Sequence, residues 1–236
     1  ERRRRMTGGV IPVPDITESE IRECFDLMKK YYDNMDEQVF RRDFSDKDYC
    51  LVLRDNNEII GFTTQKLLDV DIGGETVHGI FSGDTIIRRD YWGQTGLFRI
   101  FANFWFRYAK RYDEFYWFLI CKGYRTYGIL PLMWREFYPN CRTGTPAREK
   151  SIIDAYASAL YPGEYDPATG VIEYRHEKDR LKPNIGEIPE RRRKNADIAF
   201  FCEKDPGYVI GNDLACLAKI DEDMLRPRMP ERLGLR

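Results

Sequence analysis

Residues 84–108 read DTIIRRDYWGQTGLFRIFANFWFRY, and this stretch decides the fold. An apolar strand ending at Ile87 passes through a charged link, Arg88-Arg89-Asp90-Tyr91, into the turn Trp92-Gly93-Gln94-Thr95-Gly96 and then directly into a helix. The helix follows from the spacing of Leu97, Phe101, Phe104, Trp105 and Tyr108, which lays an apolar stripe along one face. Two glycines let the turn bend closely around a ligand, and the first amides of the helix lack intrahelical partners. Such a terminus suits phosphate oxygens, although the same pattern also serves as a plain turn.

On the N-terminal side, Thr17 and Glu20 form a capping box that opens a helix, with Ile21, Cys24, Phe25, Met28 and Tyr32 along its apolar face. A short helix is expected over 37–44. The period then changes to that of strands, at 49–54, at 59–68 after the turn 55–58, and at 76–87 after Gly73-Gly74. Glycine inside a strand often marks a bulge, and Ser82-Gly83 is the expected place for one. On the C-terminal side, Phe115–Cys121 is a continuous apolar run, the mark of a strand buried on both faces. With the helix between them, the strands ending at Ile87 and Cys121 make a right-handed parallel crossover. Residues 124–137 read as a helix kinked by Pro131, 148–160 and 196–202 as further helices, and 213–220 as a last strand. Residues 161–193 are polar and rich in Pro, Gly and charge, and read as an excursion from the core, a lid or acceptor-side surface more mobile than the strands.

The chain has 236 residues, 42% hydrophobic and 33% charged, which suits one globular domain with embellishment. No apolar run approaches the ~20 residues that span a bilayer. A net charge of -1 gives no general attraction to nucleic acid, so the basic runs Arg2–Arg5 and Arg191–Lys194 read as solvated segments. Six scattered cysteines and two histidines show no zinc spacing. With no leader pattern at the start, reduced thiols and a cytoplasmic location are expected.

The segment 84–108 and the order of elements around it resemble the GNAT acyltransferase superfamily, whose pyrophosphate turn reads Arg/Gln-x-x-Gly-x-Gly/Ala between a strand and a long helix. Trp92 stands where that family usually has Arg or Gln, Thr95 at its first motif Gly and Leu97 at its second Gly or Ala. The resemblance implies an α/β (α+β) fold, a mixed, mostly antiparallel central sheet flanked by helices, over 16–220. An insertion is expected at about 143–195, with tails at 1–15 and 221–236. It further implies acetyl-CoA or a longer acyl-CoA as co-substrate, held by Ile86, Ile87, Arg88, Gly93, Gln94, Thr95, Gly96 and Leu97, with no metal. A bulky residue at Gly93 is then expected to crowd the turn with little loss of fold.

The implied activity is N-acyl transfer from acyl-CoA, or from an acyl carrier protein, to the amine of a small molecule. In such enzymes a base near the strand before the turn receives the amine proton, and a Tyr after the next strand often protonates the leaving thiolate. Asp84 and His78 lie on that strand and Tyr127 early in the next helix, so these are the catalytic candidates. Lys122 and Arg125 could contact an anionic acceptor or carrier, and Arg88 and Arg89 a phosphate. The aromatic set Phe98, Phe101, Trp105, Trp117 and Trp134 suits a large acyl chain, with plain core as the default reading. Two other functions fit the same fold: a non-catalytic ligand-binding domain, consistent with the altered turn, and a nucleic-acid-modifying enzyme, which the charge disfavours.

Overall fold

A computed structural model describes residues 6–236. The chain opens with β1 (Met6–Pro12), then α1 (Glu18–Lys29), the short β2 (Tyr32–Asp33) and α2 (Glu37–Ser45). The long hairpin follows, β3 (Tyr49–Asp55), β4 (Glu58–Ile72) and β5 (Glu75–Ile87), then α3 (Gly96–Ala109) and β6 (Phe115–Cys121). After α4 (Tyr124–Tyr127), α5 (Ile129–Met133) and α6 (Ala147–Leu160), the excursion carries β7 (Tyr165–Asp166), β8 (Val171–Ile172), β9 (Arg180–Leu181), α7 (Pro183–Gly186) and α8 (Glu190–Arg193). It leads into α9 (Ala196–Lys204), β10 (Asp213–Lys219) and α10 (Met229–Leu233).

Eight strands form one sheet in the order β1-β3-β4-β5-β6-β10-β8-β7. Every pairing is antiparallel except β5 with β6, which is parallel across the α3 crossover. Side chains alternate between the faces, as a strand requires. Leu51 and Leu53 meet α3, while Cys50 and Val52 pack under α1 and α2. On β6, Trp117 and Leu119 face α3 and Phe118 faces α6, which explains its unbroken apolar run. At Gly79 a Cβ would stand 2.6 Å from the Phe118 ring and 2.7 Å from the Tyr116 carbonyl oxygen. Because backbone cannot yield as a side chain can, Gly79→Ala is expected to cost about 3 kcal/mol, at the upper end of overpacking penalties, read as a lowered denaturation midpoint.

Both expected tails belong to the fold where they are described. Met6–Pro12 pairs along its length with β3, and a Cβ on Gly8 would lie 2.2 Å from Ile100 Cδ1. The glycines that make this segment read as a linker are what let α3 press onto the edge strand. At the other end Leu225, Met229 and Leu233 are buried, and the Leu233 carbonyl accepts from Asn103 of α3 at 2.9 Å. The basic run 2–5 lies outside the described residues.

Other boundaries shift for local reasons. The capping box of Thr17 and Glu20 is closed, but α1 ends at Lys29, so Tyr32 leaves its helical face for a strand. The helix expected over 124–137 is two short pieces that meet at Gly128. The excursion is tied down, since β8 extends the main sheet beside β10 and β9 pairs with β2. Among the described residues no helix is long and apolar enough to cross a membrane.

Candidate active site

Thr63 pairs with Thr85 and Gln65 with Ser82, so Thr64 alone faces two residues, Gly83 and Asp84. This β-bulge sits where the sequence placed one, and a bulge bends its strand and re-aims a side chain. The pairing of β5 with β6 runs from His78 opposite Phe115 to Ser82 opposite Leu119 and ends there. The two parallel strands therefore part at the bulge, and a cavity of about 140 Å³ opens in the gap.

A buried side-chain network holds the bulge. Gln65 Nε2 donates to Thr63 Oγ1 at 2.8 Å and to Ser82 Oγ at 2.9 Å, and Trp117 Nε1 donates to Ser82 Oγ at 2.8 Å. Thr63 and Thr85 share a hydroxyl contact of 2.7 Å. Gly83 has no room for a side chain, because a Cβ would lie 2.7 Å from Thr64 Oγ1 and 2.9 Å from Lys47 Cε. Lys47 thus lies across the bulge and reaches the cavity wall, where its ammonium donates to the Asp43 carbonyl at 2.6 Å. Burial lowers its pKa, against the pull of Asp84 and Asp43.

Asp84 lines the cavity, and no hydrogen bond or ion pair is formed by its carboxylate among the described residues. Burial first, and the negative charge of Asp179 second, push its carboxyl up to about 6, with Lys47 and Lys178 opposing. A carboxyl titrating near neutrality and facing a cavity can take up a proton and release it again. Tyr32 and Tyr161 line the same space, their hydroxyls without partners among the described residues and their pKa values raised by burial.

The excursion roofs this cavity. Tyr174 donates to Asp213 Oδ2 at 2.6 Å, and Lys122 donates to the same oxygen at 3.0 Å while lying 3.8 Å from Asp179. Burial would lower the Lys122 pKa, but Asp213 and Asp179 outweigh it and raise it. The pairing of Tyr32 with Leu181 clasps the roof to the N-terminal helices.

No known family profile matches the chain, and no curated protein matches it in sequence. Solved structures do resemble it. A probable N-acyltransferase of Enterococcus faecalis is 16% identical over 56% of this chain, with a TM-score of 0.43, and this chain covers 33% of that protein's length. The Escherichia coli GNAT N-acetyltransferase YhbS, solved with CoA, is 12% identical over 52% of this chain and 66% of its own, with a TM-score of 0.38. Arabidopsis thaliana NAA60, solved with acetyl-CoA, is 12% identical over 56% of this chain and 89% of its own, with a TM-score of 0.39. The fold itself is a mixed, mostly antiparallel sheet with one parallel pair, β5 with β6, flanked by helices.

Within this frame the expected site residues part company. Asp84 and Leu97 face the cavity, as do Phe98, Phe101 and Trp117 of the aromatic set, whereas Trp105 and Trp134 are core. His78 lies about 20 Å from Asp84 along β5 at ~3.3 Å per residue. Its ring contacts Asp69 Oδ1 at 2.8 Å and sits 4.4 Å from the Tyr112 ring centroid. Tyr127 is fully buried outside the cavity wall, donating to the Pro139 carbonyl at 2.9 Å among Phe137, Phe200 and Phe201.

In the turn, Ile86 is buried toward α1 and α2, and Arg88 pairs with Glu58 at 2.9 Å. Gly93 and Gln94 are exposed, and α3 starts at Gly96 with no side chain of Thr95 capping its amides. Gly93 has φ +86° and open space beside it, so a valine there would strain the backbone rather than crowd a neighbour. Gly93→Val is therefore expected to lower stability by about 1–2 kcal/mol even in buffer without ligand, measured by denaturant titration. Trp92, at the family's Arg or Gln position, turns inward: its Nε1 donates to the Ile87 carbonyl at 2.8 Å, and the Arg125 guanidinium stacks over its ring at 4.5 Å. Tyr32, Lys47, Tyr161 and Asp179 carried no local sequence signal, because long-range pairing brings them to the cavity.

Proposed function

We propose that this protein is an N-acyltransferase that moves an acyl group from a CoA thioester to the amine of a small molecule bound at the splay of β5 and β6. The observation that carries the reading is Asp84, an unpartnered carboxyl aimed by a bulge into the cavity between the parting strands. The uncapped amides at the start of α3 fit the phosphates of such a donor. The neutral amine nitrogen adds to the thioester carbonyl carbon, the carbon–sulfur bond breaks, and the thiolate leaves. Asp84 receives the proton lost by the nitrogen, and Tyr32 or Tyr161, kept protonated by burial, can meet the departing sulfur. A cavity of about 140 Å³ limits the enclosed part of the acceptor to a small group.

Trp92 supports a second reading, a GNAT-like domain without catalysis. Its indole occupies the Ile87 carbonyl, and its stack with Arg125 bridges the ends of the two parting strands. Calorimetric titration with acetyl-CoA and a long-chain acyl-CoA, followed by a thiol-release assay against a panel of amines, tests both. Binding with turnover supports the acyltransferase, and binding without turnover on any amine supports the second reading.

A further inference from the structure

The cavity at the splay draws its wall from both faces of the sheet, and the two halves differ in chemistry. From the face under α6 come Phe81, Tyr161 and Tyr174, while Lys47 follows α2 and Lys178 and Asp179 belong to the excursion. From the other face the wall is Leu97, Phe98, Phe101, Trp117, Leu119 and Ile129, all in the core packed on α3. The Trp117 ring lies 5.0 Å from that of Phe101 and 6.0 Å from that of Phe98, so three aromatic rings close this half.

The polar side chains that the strands present on the α3 side are already bonded to one another. Trp117 Nε1 and Gln65 Nε2 donate to Ser82 Oγ, Ser82 donates back to Gln65 Oε1 at 3.1 Å, and Thr63 shares its contact with Thr85. Apart from the Thr126 hydroxyl of α4, this half offers a ligand no free polar side chain among the described residues. A polar group enclosed there loses its hydration without a replacement bond, whereas hydrocarbon gains from the transfer. Asp84 lines the same cavity, so an amine at its carboxylate attacks a carbonyl in the gap, and the substituent of that carbonyl extends into the apolar half. The whole cavity, about 140 Å³, is close to the ~150 Å³ that holds one benzene ring in an apolar protein interior. We propose that the α3-side half is the acyl pocket of the donor and takes an unsubstituted hydrocarbon chain longer than acetyl, of about four to six carbons. This rests on the thioester-donor reading and names the class of donor.

The test is calorimetric titration of the whole protein with acetyl-, butyryl-, hexanoyl- and lauroyl-CoA. The parent is expected to bind butyryl-CoA about tenfold more tightly than acetyl-CoA, each buried methylene being worth about fourfold, with no further gain from hexanoyl- to lauroyl-CoA. Phe98 and Ile129 are only partly buried, which makes them the positions to vary. Phe98→Ala enlarges the pocket and should move the preference toward the longer chains. Ile129→Trp fills it and should move the preference back toward acetyl-CoA. A general loss of packing cannot shift chain preference in opposite directions. Equal affinity for acetyl- and butyryl-CoA in the parent, or variants that do not move the preference in opposite directions, would overturn the pocket. If the parent binds none of the four thioesters, the donor reading falls, and benzene then tests the apolar half alone. A rise in the parent's thermal midpoint that Ile129→Trp abolishes supports a hydrocarbon ligand there, and an equal response or none overturns it.

Discussion

Asp84→Asn is expected to lower the single-turnover acyl-transfer rate by about 10²–10⁴-fold, the usual loss when a positioned acid or base is removed. The asparagine keeps the shape of the side chain and cannot accept the proton, so donor binding should change little. The pH profile gives the sharper reading. With its carboxyl at about 6, Asp84 is protonated and idle as a base below that pH, so the parent's rate should climb with pH and level off above about 6. The variant should lose that climb. His78→Ala and Tyr127→Phe should stay within a few-fold of the parent, because one side chain sits at the far end of β5 and the other is enclosed by aromatic rings. A parent-like rate and profile in Asp84→Asn would remove the base from the proposed mechanism.

Asp205→Asn is expected to change the pH dependence of stability. Asp205 has no exposed surface, and among the described residues neither carboxylate oxygen has a hydrogen-bond partner. Burial first, and the negative charge of Asp213 next, push its carboxyl up to about 7, against the pull of the Gly207 amide and Lys122. The folded protein thus holds this proton more tightly than the unfolded chain, whose carboxyl titrates near its ordinary value of 3.8. Its contribution is complete below about pH 4, is lost as pH rises toward about 7, and stays lost above that. The full difference is on the order of 4 kcal/mol. Asparagine carries no such proton, so parent and variant should unfold alike at pH 3.5, with the variant the more stable at pH 8. Denaturant melts at the two pH values measure this, and parallel pH dependence of parent and variant would show that Asp205 does not titrate with folding.

Much of the frame was legible from local patterns. The capping box of Thr17 and Glu20, the Asp55–Glu58 turn and the apolar stripe of α3 depend on residues close in sequence, so their geometry follows from spacing. The bulge was legible too, because Gly83 interrupts an otherwise strand-like run. The edge strand β1 was not. Its Gly8 and Gly9 resemble a linker until α3 is seen pressed against Gly8. Tyr32 read as a helical residue because its spacing from Met28 continues the stripe of α1, yet the strand pairing with Leu181 claims it.

The candidate site divides along the same line. Sequence by itself determined the strand-turn-helix at 84–108, the parallel crossover to Phe115–Cys121 and the placing of Asp84 on the strand before the turn. These are short-range facts, carried by side-chain period and by glycine's freedom at φ +86°. Only the tertiary structure decided which side of the sheet each candidate reaches. A bulge of one residue swings Asp84 into the splay while His78, on the same strand, pairs with Asp69. It also decided that Tyr161, Tyr174 and Asp179 of the excursion roof the cavity. Such meetings depend on contacts between residues far apart in sequence, whose closure is driven by burial summed over the whole sheet and leaves no periodic trace near the residues themselves.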